Sequence, residues 1–173
     1  MNKGCIILLT GLPSSGKTTL AKYLFSKLNK ENKVVHLDGD EFRKKYCKDL
    51  GFSNDDRIEN MRRLAIKAED FENNGNIVVC SFISPTKFHR SLVKALSSNF
   101  IEVHIHADIK TCMERDVKGL WEKAISGEIK EFTGYSSPYE EPINPDVICF
   151  TTQESVEESC QKIIECLIEK KII

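Results

Sequence analysis

The sequence lacks the features of a membrane-spanning, disulfide-stabilised or nucleic-acid-binding protein. No apolar run approaches the roughly 20 residues that a membrane-spanning helix needs, and the formal net charge of -1 gives no general attraction to nucleic acid or to an acidic membrane. The seven cysteines are odd in number, widely spread and without a C-x-x-C pair, which favours buried free thiols over disulfides or a zinc site. A single lysine precedes the first apolar run, and this run leads straight into a glycine-rich loop. The run therefore predicts a strand rather than a signal peptide. We therefore expect a cytoplasmic protein without a nucleic-acid or membrane partner.

The composition is that of an ordinary globular chain. Apolar residues make up 40% of the sequence and charged residues 29%. The length of 173 residues predicts one domain, residues 1–173, that is large enough to bury its own core. Any site for an anion must therefore be a local feature of this domain.

The most informative stretch is the pattern G-x-x-x-x-G-K-[ST], which directly follows the apolar run Cys5–Leu9. Gly11 and Gly16 allow a backbone in which successive N–H groups turn inward around a phosphate at the start of a helix. In such a loop Lys17 reaches the β- and γ-phosphates, and the Thr18 hydroxyl binds Mg²⁺. A chance Gly/Ser turn is the alternative, but a strand before and a helix after the motif favour a phosphate-binding loop. The predicted nucleotide-binding residues are Gly11, Leu12, Pro13, Ser14, Ser15, Gly16, Lys17, Thr18 and Thr19.

Strands and helices alternate along the rest of the chain. Leu20, Leu24 and Leu28 have helical spacing, and Ser53 opens a long helix that runs to about Asn73. Short apolar runs predict strands at residues 34–37, 77–82, 101–106 and 146–150, with further helices from about residues 85, 109 and 154. This order predicts an α/β fold of three layers, a parallel sheet with helices on both faces.

One segment, residues 118–142, breaks this alternation. It is rich in glycine, charged residues and aromatic residues. Long irregular segments inside compact domains are usually functional, and an enzyme that transfers a phosphoryl group must exclude water, so we interpret it as a lid. A solvated connection with one helical turn is the alternative.

Further blocks follow the phosphate loop in a fixed order, and together they carry a family resemblance. The blocks are Asp38-Gly39-Asp40 with Arg43, Asp49-Leu50-Gly51-Phe52-Ser53, Asp56-Arg57 with Asn60, Ser81-Phe82-Ile83-Ser84-Pro85, Arg115-Asp116 with Lys118-Gly119-Leu120, and Gly127-Glu128-Ile129-Lys130 with Phe132-Thr133-Gly134. Over nearly the whole chain this set resembles the adenylylsulfate kinase family. The resemblance implies a P-loop NTPase fold, ATP with Mg²⁺ as phosphoryl donor, and phosphorylation of the ribose 3′-hydroxyl of adenylylsulfate, a step of sulfate assimilation. It also implies a homodimer.

The resemblance implies catalytic roles for Asp40 and for two lysines. Asp40, at the carboxyl end of a strand beside the phosphate loop, would orient or deprotonate the 3′-hydroxyl and hold Mg²⁺ together with Thr18. A helix N-cap is a second, compatible interpretation of Asp40. Lys118, in the predicted lid, would act with Lys17 to neutralise charge as the phosphoryl group moves; a mobile surface lysine is the alternative.

The resemblance also implies the residues that bind the two nucleotides. Arg57 and Asn60 are spaced i, i+3 on one helix face, and the planar fork of arginine suits phosphate or sulfate oxygens. Phe52 and Phe132 would enclose the base of the acceptor, although packing in the core or lid is the alternative for either ring. The acceptor-binding candidates are Asp38, Asp40, Arg43, Phe52, Arg57, Asn60, Ile83, Ser84, Lys118 and Phe132, and Arg115 is a further ATP-binding candidate.

Ser84 has two interpretations. The Ser84-Pro85 step predicts a helix start, with Ser84 as N-cap and Pro85 at the first helical position. Some members of the family that this chain resembles carry a phosphorylated serine at the matching position. Ser84 is therefore also a candidate catalytic or substrate-contacting residue.

The sequence departs from the family pattern beside the predicted acceptor site. Glu41-Phe42 replaces an Asn-Val pair, and residues 84–90 read Ser-Pro-Thr-Lys-Phe-His-Arg in place of Ser-Pro-Tyr-Arg-x-Asp-Arg. Glu41 adds negative charge, and Lys87 loses the bidentate recognition that arginine provides. The acceptor could therefore be cytidine diphosphoramidate, the substrate of a similar branch that serves capsular polysaccharide biosynthesis. A kinase of another small metabolite and a non-catalytic nucleotide-binding regulator are further alternatives.

Overall fold

The structure, a computed structural model, describes residues 4–173. Within these residues five strands form one sheet in the order β2-β3-β1-β4-β5, and all of the pairings are parallel. The strands are β1 (Cys5–Thr10), β2 (Val34–Asp38), β3 (Ile77–Ser81), β4 (Phe100–His106) and β5 (Val147–Phe150). The strand that leads into the phosphate loop is thus the central one, and the carboxyl ends of its neighbours lie on either side of the loop.

Helices cover both faces of this sheet. They are α1 (Lys17–Leu28), α2 (Gly39–Tyr46), α3 (Asn54–Asn73), α4 (Lys87–Leu96), α5 (Ile109–Glu114), α6 (Leu120–Ile125) and α7 (Val156–Glu169). Apolar residues of α1 and α7 form one core cluster with the sheet, and apolar residues of α2, α3 and α4 form a second. The predicted α/β fold with three layers is confirmed.

The central strand shows why the sheet is so apolar. Side chains alternate between the two faces of a strand, so Ile7 and Leu9 join the cluster of α1 and α7, whereas Ile6 and Leu8 join the other. All four side chains are completely buried. A sheet covered on both faces requires this continuous apolar run.

The cysteines are free and buried, as the sequence predicted. All seven lie within residues 4–173 and none forms a disulfide there. Burial raises the pKa of the Cys5 thiol to about 12, so this thiol stays protonated. Across residues 4–173 the helices are too short or too polar to cross a bilayer.

The predicted start of α4 is wrong. The N-cap is Thr86, whose Oγ1 accepts a hydrogen bond from the His89 N–H at 3.3 Å, and the helix begins at Lys87. Ser84 instead has a φ of 46°, whereas an N-cap residue has an extended backbone. Its carbonyl oxygen accepts a hydrogen bond from Arg90 Nη1 at 3.0 Å. Thr10 Oγ1, 74 positions away in the chain, lies 3.4 Å from the same oxygen. The local Ser-Pro pattern does not reveal this long-range contact.

Candidate active site

The phosphate loop runs from the end of β1 to the start of α1, and both of its glycines are required by its geometry. A Cβ at Gly11 would lie 2.4 Å from the Ile105 carbonyl oxygen, so no other residue fits without a shift of the backbone. Gly16, the N-cap of α1, has a φ of 105°, which L side chains rarely adopt. The loop therefore reaches the N-terminus of α1 in the conformation that the motif predicts.

Lys17 lies inside this loop. Its ammonium group donates hydrogen bonds to the carbonyl oxygens of Gly11 at 2.9 Å and Leu12 at 2.6 Å. The residue is only 8% exposed, and burial lowers the pKa of Lys17 to about 8. A buried cation at the N-terminus of a helix is suited to bind phosphate oxygens.

A carboxylate of β2 holds the hydroxyl of Thr18. Thr18 Oγ1 donates to Asp38 Oδ2 at 2.8 Å, and Ser81 Oγ donates to the same oxygen at 3.0 Å. Asp38 Oδ1 accepts from the Asp40 N–H at 3.1 Å, so Asp38 rather than Asp40 is the N-cap of α2. Burial alone would raise the pKa of Asp38, but these hydrogen bonds outweigh it, and the pKa is lowered. The carboxylate is therefore ionised near neutral pH.

These oxygen donors fit Mg²⁺. Hydroxyl and carboxylate oxygens are its preferred ligands, and in phosphoryl-transfer sites it keeps several waters and takes few groups from the protein. The sequence predicted Thr18 and Asp40 as the metal-binding pair and assigned Asp38 to the acceptor only. The hydrogen bond to Thr18 adds Asp38 to the candidate metal site.

Asp40 faces the segment that was predicted to be a lid. Lys118 Nζ forms an ion pair with Asp40 Oδ2, and both side chains are more than half exposed. The same charges act on Lys17: Asp38 and Asp40 raise its pKa, and Lys118 lowers it. The three residues predicted to act on the transferred phosphoryl group, Lys17, Asp40 and Lys118, thus lie with Asp38 at the carboxyl edge of the sheet.

Residues 118–142 cover the phosphate loop. Trp121, in α6, donates from Nε1 to the carbonyl oxygen of Pro13 at 3.1 Å. A Cβ at Gly134 would lie 2.5 Å from a methyl group of Leu12, which shows how closely the segment approaches the loop. Farther along, Tyr139 and Thr10 share a hydrogen bond of 3.0 Å between their hydroxyls. The sequence did not single out Trp121 or Tyr139, because both contacts join residues more than 100 positions apart.

Three acceptor-binding candidates lie together at the start of α3. The Arg43 guanidinium lies 4.6 Å from the centre of the Phe52 ring, which is 65% exposed. Arg57 Nε donates to the Phe52 carbonyl oxygen at 2.9 Å, and its Nη1 donates to the Thr133 hydroxyl at 3.0 Å. Two cations and an open aromatic face are thus held side by side.

Asn60 projects from the same helix into the interior. It is 7% exposed, and in the described part of the chain its Oδ1 atom has no hydrogen-bond partner. A buried amide oxygen normally has one. The geometry therefore leaves Asn60 able to accept a hydrogen bond from a ligand or a water.

Phe132 is not open to a ligand in this structure. It is 8% exposed and packs edge-on against Trp121, with ring centroids 5.0 Å apart, in a cluster that includes Ala107 and Cys112. The alternative of packing within the segment therefore describes Phe132 here, whereas Phe52 is exposed.

The β3–α4 loop is buried rather than open. Ser84 is 2% exposed, and its hydroxyl contacts Met61 Sδ at 3.7 Å. The Ile83 carbonyl oxygen accepts from Thr10 Oγ1 at 2.6 Å. Ile83 and Ser84 thus lie against Thr10, the last residue of β1, and the Ser84 hydroxyl is turned away from solvent.

Arg115 lies on the other side of the phosphate loop. It donates from Nη1 to Thr151 Oγ1 at 3.0 Å and from Nη2 to the Thr151 carbonyl oxygen at 2.7 Å. Thr151 in turn donates to the Ser15 carbonyl oxygen at 2.8 Å. The predicted ATP-binding arginine is therefore connected to the loop through Thr151, a residue that carried no signal in the sequence.

The comparisons with known proteins agree with this geometry. The family model for adenylylsulphate kinase matches residues 3–150. The adenylyl-sulfate kinase of Halothermothrix orenii is 45% identical over 172 residues, covering 99% of this chain and 93% of the relative, and that of Thermodesulfovibrio yellowstonii is 46% identical over 172 residues, covering 98% and 86%. The APS kinase of Mycobacterium tuberculosis, solved in complex with AMPPNP and APS, has a TM-score of 0.92 and 38% identity, covering 96% of this chain and 99% of that chain. The chain belongs to the adenylylsulphate kinase family.

Proposed function

We propose that this protein is an ATP-dependent kinase that phosphorylates the ribose 3′-hydroxyl of adenylylsulfate and forms 3′-phosphoadenylylsulfate. The substrate assignment is supported by the adenylyl-sulfate kinase relatives at about 45% identity and by the Mycobacterium tuberculosis relative, whose structure holds AMPPNP and APS. The observation in this chain that supports it best is the contact between Lys118 and Asp40 beside the phosphate loop. A nucleotide-binding regulator that transfers no phosphoryl group needs neither a carboxylate that accepts a proton, such as Asp40, nor a second lysine, such as Lys118, beside the phosphate loop.

The donor half of the site binds ATP through the phosphate loop. Lys17 binds β- and γ-phosphate oxygens, and the backbone N–H groups at the start of α1 enclose the β-phosphate. Arg115, which is connected to the loop through Thr151, would contact the nucleoside end. Thr18 and Asp38 would hold Mg²⁺, which when bound neutralises phosphate charge.

The acceptor half binds adenylylsulfate between α2, α3 and residues 118–142. Arg43 and Arg57 bind its anionic groups, Phe52 stacks on its base, and Asn60 accepts a hydrogen bond. Asp40 accepts the proton of the 3′-hydroxyl, and the oxygen of this hydroxyl bonds to the γ-phosphorus of ATP. The bond between the γ-phosphorus and the β–γ bridging oxygen breaks, and ADP leaves. Lys118 must leave Asp40 for this step and then faces the charge on the moving phosphoryl group.

Residues 118–142 act as the lid of this site, within a single domain that spans residues 1–173. The contact of Trp121 with Pro13 and that of Lys118 with Asp40 support this role, because both join the segment to the nucleotide-binding edge. Residues 1–3 lie outside the described residues. The protein functions in the cytoplasm, where free thiols are stable, and as a homodimer, for which light scattering after size exclusion is the direct test.

The experiment that tests the function is a coupled assay of ADP release. ATP and Mg²⁺ are supplied with adenylylsulfate or with cytidine diphosphoramidate, each at low concentration. We expect release that depends on adenylylsulfate, with a higher kcat/KM than for the cytidine compound. A preference for the cytidine compound would instead make Glu41 and Lys87 specificity determinants and assign the protein to capsule biosynthesis. ADP release that is independent of either acceptor would refute both assignments.

A further inference from the structure

A chain of four side chains crosses from the edge strand to the phosphate loop. His36 and Asp38 are two residues apart on β2, so they share one face of the sheet. Asp38 is paired in register with Ser81 on β3. His36 Nε2 lies 2.9 Å from Ser81 Oγ, Ser81 Oγ lies 3.0 Å from Asp38 Oδ2, and Thr18 Oγ1 lies 2.8 Å from the same oxygen.

The directions of these hydrogen bonds follow from the proton inventory. The ionised Asp38 carboxylate only accepts, so the single hydroxyl proton of Ser81 is donated to Asp38. Ser81 Oγ must then accept from His36, which requires a proton on Nε2. Both the neutral Nε2–H tautomer and the imidazolium can donate in this way, so the arrangement does not depend on the charge of His36.

This arrangement determines where the Thr18 hydroxyl points. Because Thr18 donates its proton to Asp38, its oxygen lone pairs are left for a cation. Ser81 is 3% exposed, so bulk water does not compete for its hydroxyl, and its hydrogen bonds with His36 and Asp38 limit the rotation of that hydroxyl. Without His36 the Ser81 hydroxyl could rotate away, and Asp38 would lose one of the two hydroxyl donors on Oδ2.

We propose that His36 is a positioning residue for the Mg²⁺–nucleotide site and acts through Ser81 and Asp38 on Thr18. The inference rests on the proposed function only in that the site binds a metal–nucleotide complex. Groups that orient metal ligands in this way typically change metal affinity or activity by about 10- to 100-fold when they are removed. A structural alternative exists, in which the hydrogen bond to Ser81 only satisfies a half-buried histidine at the end of an edge strand.

The test measures how much Mn²⁺ tightens the binding of AMPPNP, with no acceptor present. The Kd of AMPPNP is determined by calorimetry for the full chain in EDTA and in Mn²⁺, and the ratio of the two values is the metal enhancement. The variants are His36→Leu, which removes the donor, His36→Gln, which keeps an N–H donor at a similar reach, Ser81→Ala, and the double variant of His36→Leu with Ser81→Ala. Thermal melting shows whether each variant is folded.

We expect His36→Leu to lower the metal enhancement about tenfold without changing the Kd in EDTA, and we expect His36→Gln to restore most of it. Ser81→Ala should cause a similar loss, and the double variant should lose no more than Ser81→Ala alone, because His36 acts only through that hydroxyl. An unchanged enhancement in His36→Leu, equal losses in the Leu and Gln variants, or additive losses in the double variant would each overturn the proposal.

Since no acceptor is used, these results do not depend on whether the kinase assay succeeds or fails. If His36→Leu does not fold, His36→Ala takes its place in the comparison with His36→Gln: loss in the alanine variant with retention in the glutamine variant is expected, and retention in both overturns the proposal.

Discussion

Arg57 Nη1 donates a hydrogen bond to the Thr133 hydroxyl across 3.0 Å, which joins the start of α3 to the segment that covers the phosphate loop. The two residues are 76 positions apart in the chain. Arg57 therefore has two possible effects on catalysis, one through the acceptor that its guanidinium would bind and one through the position of the lid. Arg57 Nη2 also donates to the Glu131 carbonyl oxygen of that segment. Thr133 contributes only to the second effect, so a variant of Thr133 tests one of the two contacts through which Arg57 holds the segment.

Replacing Arg57 with alanine should weaken binding of the acceptor. Hydrogen bonds to charged groups contribute about 1.5–3 kcal/mol, so we expect Arg57→Ala to raise the KM for adenylylsulfate at least tenfold, with little change in the KM for ATP. Thr133→Val is the matched control, since it removes the hydroxyl but keeps the volume. If Thr133→Val raises the acceptor KM as much as Arg57→Ala does, the arginine acts through the lid and not on the acceptor.

Replacing Asp40 should remove phosphoryl transfer but not ATP binding. A positioned general base contributes about 10²- to 10⁴-fold, so Asp40→Asn and Asp40→Ala should lower kcat by at least two orders of magnitude while the Kd for AMPPNP stays close to the wild-type value. Asp55→Asn, which neutralises an exposed carboxylate in the first turn of α3, is the control. Full turnover by either Asp40 variant would contradict the catalytic role.

The N-cap of α4 gives a prediction about stability. Thr86 accepts a hydrogen bond from His89 N–H and shares another, of 2.6 Å, with His89 Nδ1. Removing an N-cap costs about 1 kcal/mol, so Thr86→Ala should lower the free energy of unfolding in urea by about 1–2 kcal/mol. Ser84→Ala removes a buried hydroxyl whose contact is with Met61 Sδ at 3.7 Å, so it should lower the free energy of unfolding by less than Thr86→Ala does. The reverse order would restore the sequence-based assignment of Ser84 as the cap.

The buried ammonium group of Lys17 gives a prediction about pH. Burial lowers its pKa from 10.5 to about 8 in the folded chain. Between these two values the unfolded chain binds more protons than the folded chain, so the stability of the ligand-free protein gains from this group as the pH rises, by on the order of 3 kcal/mol when complete. Below pH 8 the ammonium group of Lys17 is charged in the folded and in the unfolded chain, so the full cost of burying this charge lowers the free energy of unfolding.

Lys17→Met has no such titration. We therefore expect the unfolding free energy of the wild type, relative to that of Lys17→Met, to increase between pH 8 and pH 10 when no nucleotide is present. Urea denaturation at several pH values measures this difference. Curves that stay parallel across the range would mean that Lys17 keeps an ordinary pKa.

The parts of the fold that the sequence predicted are those with a local cause. Strand β1 is buried on both faces and therefore reads as one apolar run, and the loop after it needs glycine at Gly16 because the backbone there has a positive φ. The helix that opens at Ser53 was also predicted, because Ser53 accepts from the Asp56 N–H only three residues away.

The errors and omissions have long-range causes. Ser84 meets the local rule for an N-cap, but the hydroxyl of Thr10 at the end of β1 contacts the carbonyl oxygens of Ile83 and Ser84, and the cap is Thr86. Asp38 was predicted to bind the acceptor only. The register of β2 with β3 places it beside Ser81, and Thr18 donates a hydrogen bond to it. Contacts of this kind depend on which strands become neighbours, and single-residue patterns carry no record of that.

The central claim is that the γ-phosphate of ATP is transferred to the 3′-oxygen of adenylylsulfate, and the most direct test is the structure of the product. The protein is incubated with ATP, Mg²⁺ and adenylylsulfate, and the purified product is examined by ³¹P NMR with correlation to the ribose protons. The account predicts one new phosphomonoester that couples to the proton on the 3′-carbon, formed in equal amount with ADP. Inorganic phosphate in place of that ester, or an ester at another position, would contradict it.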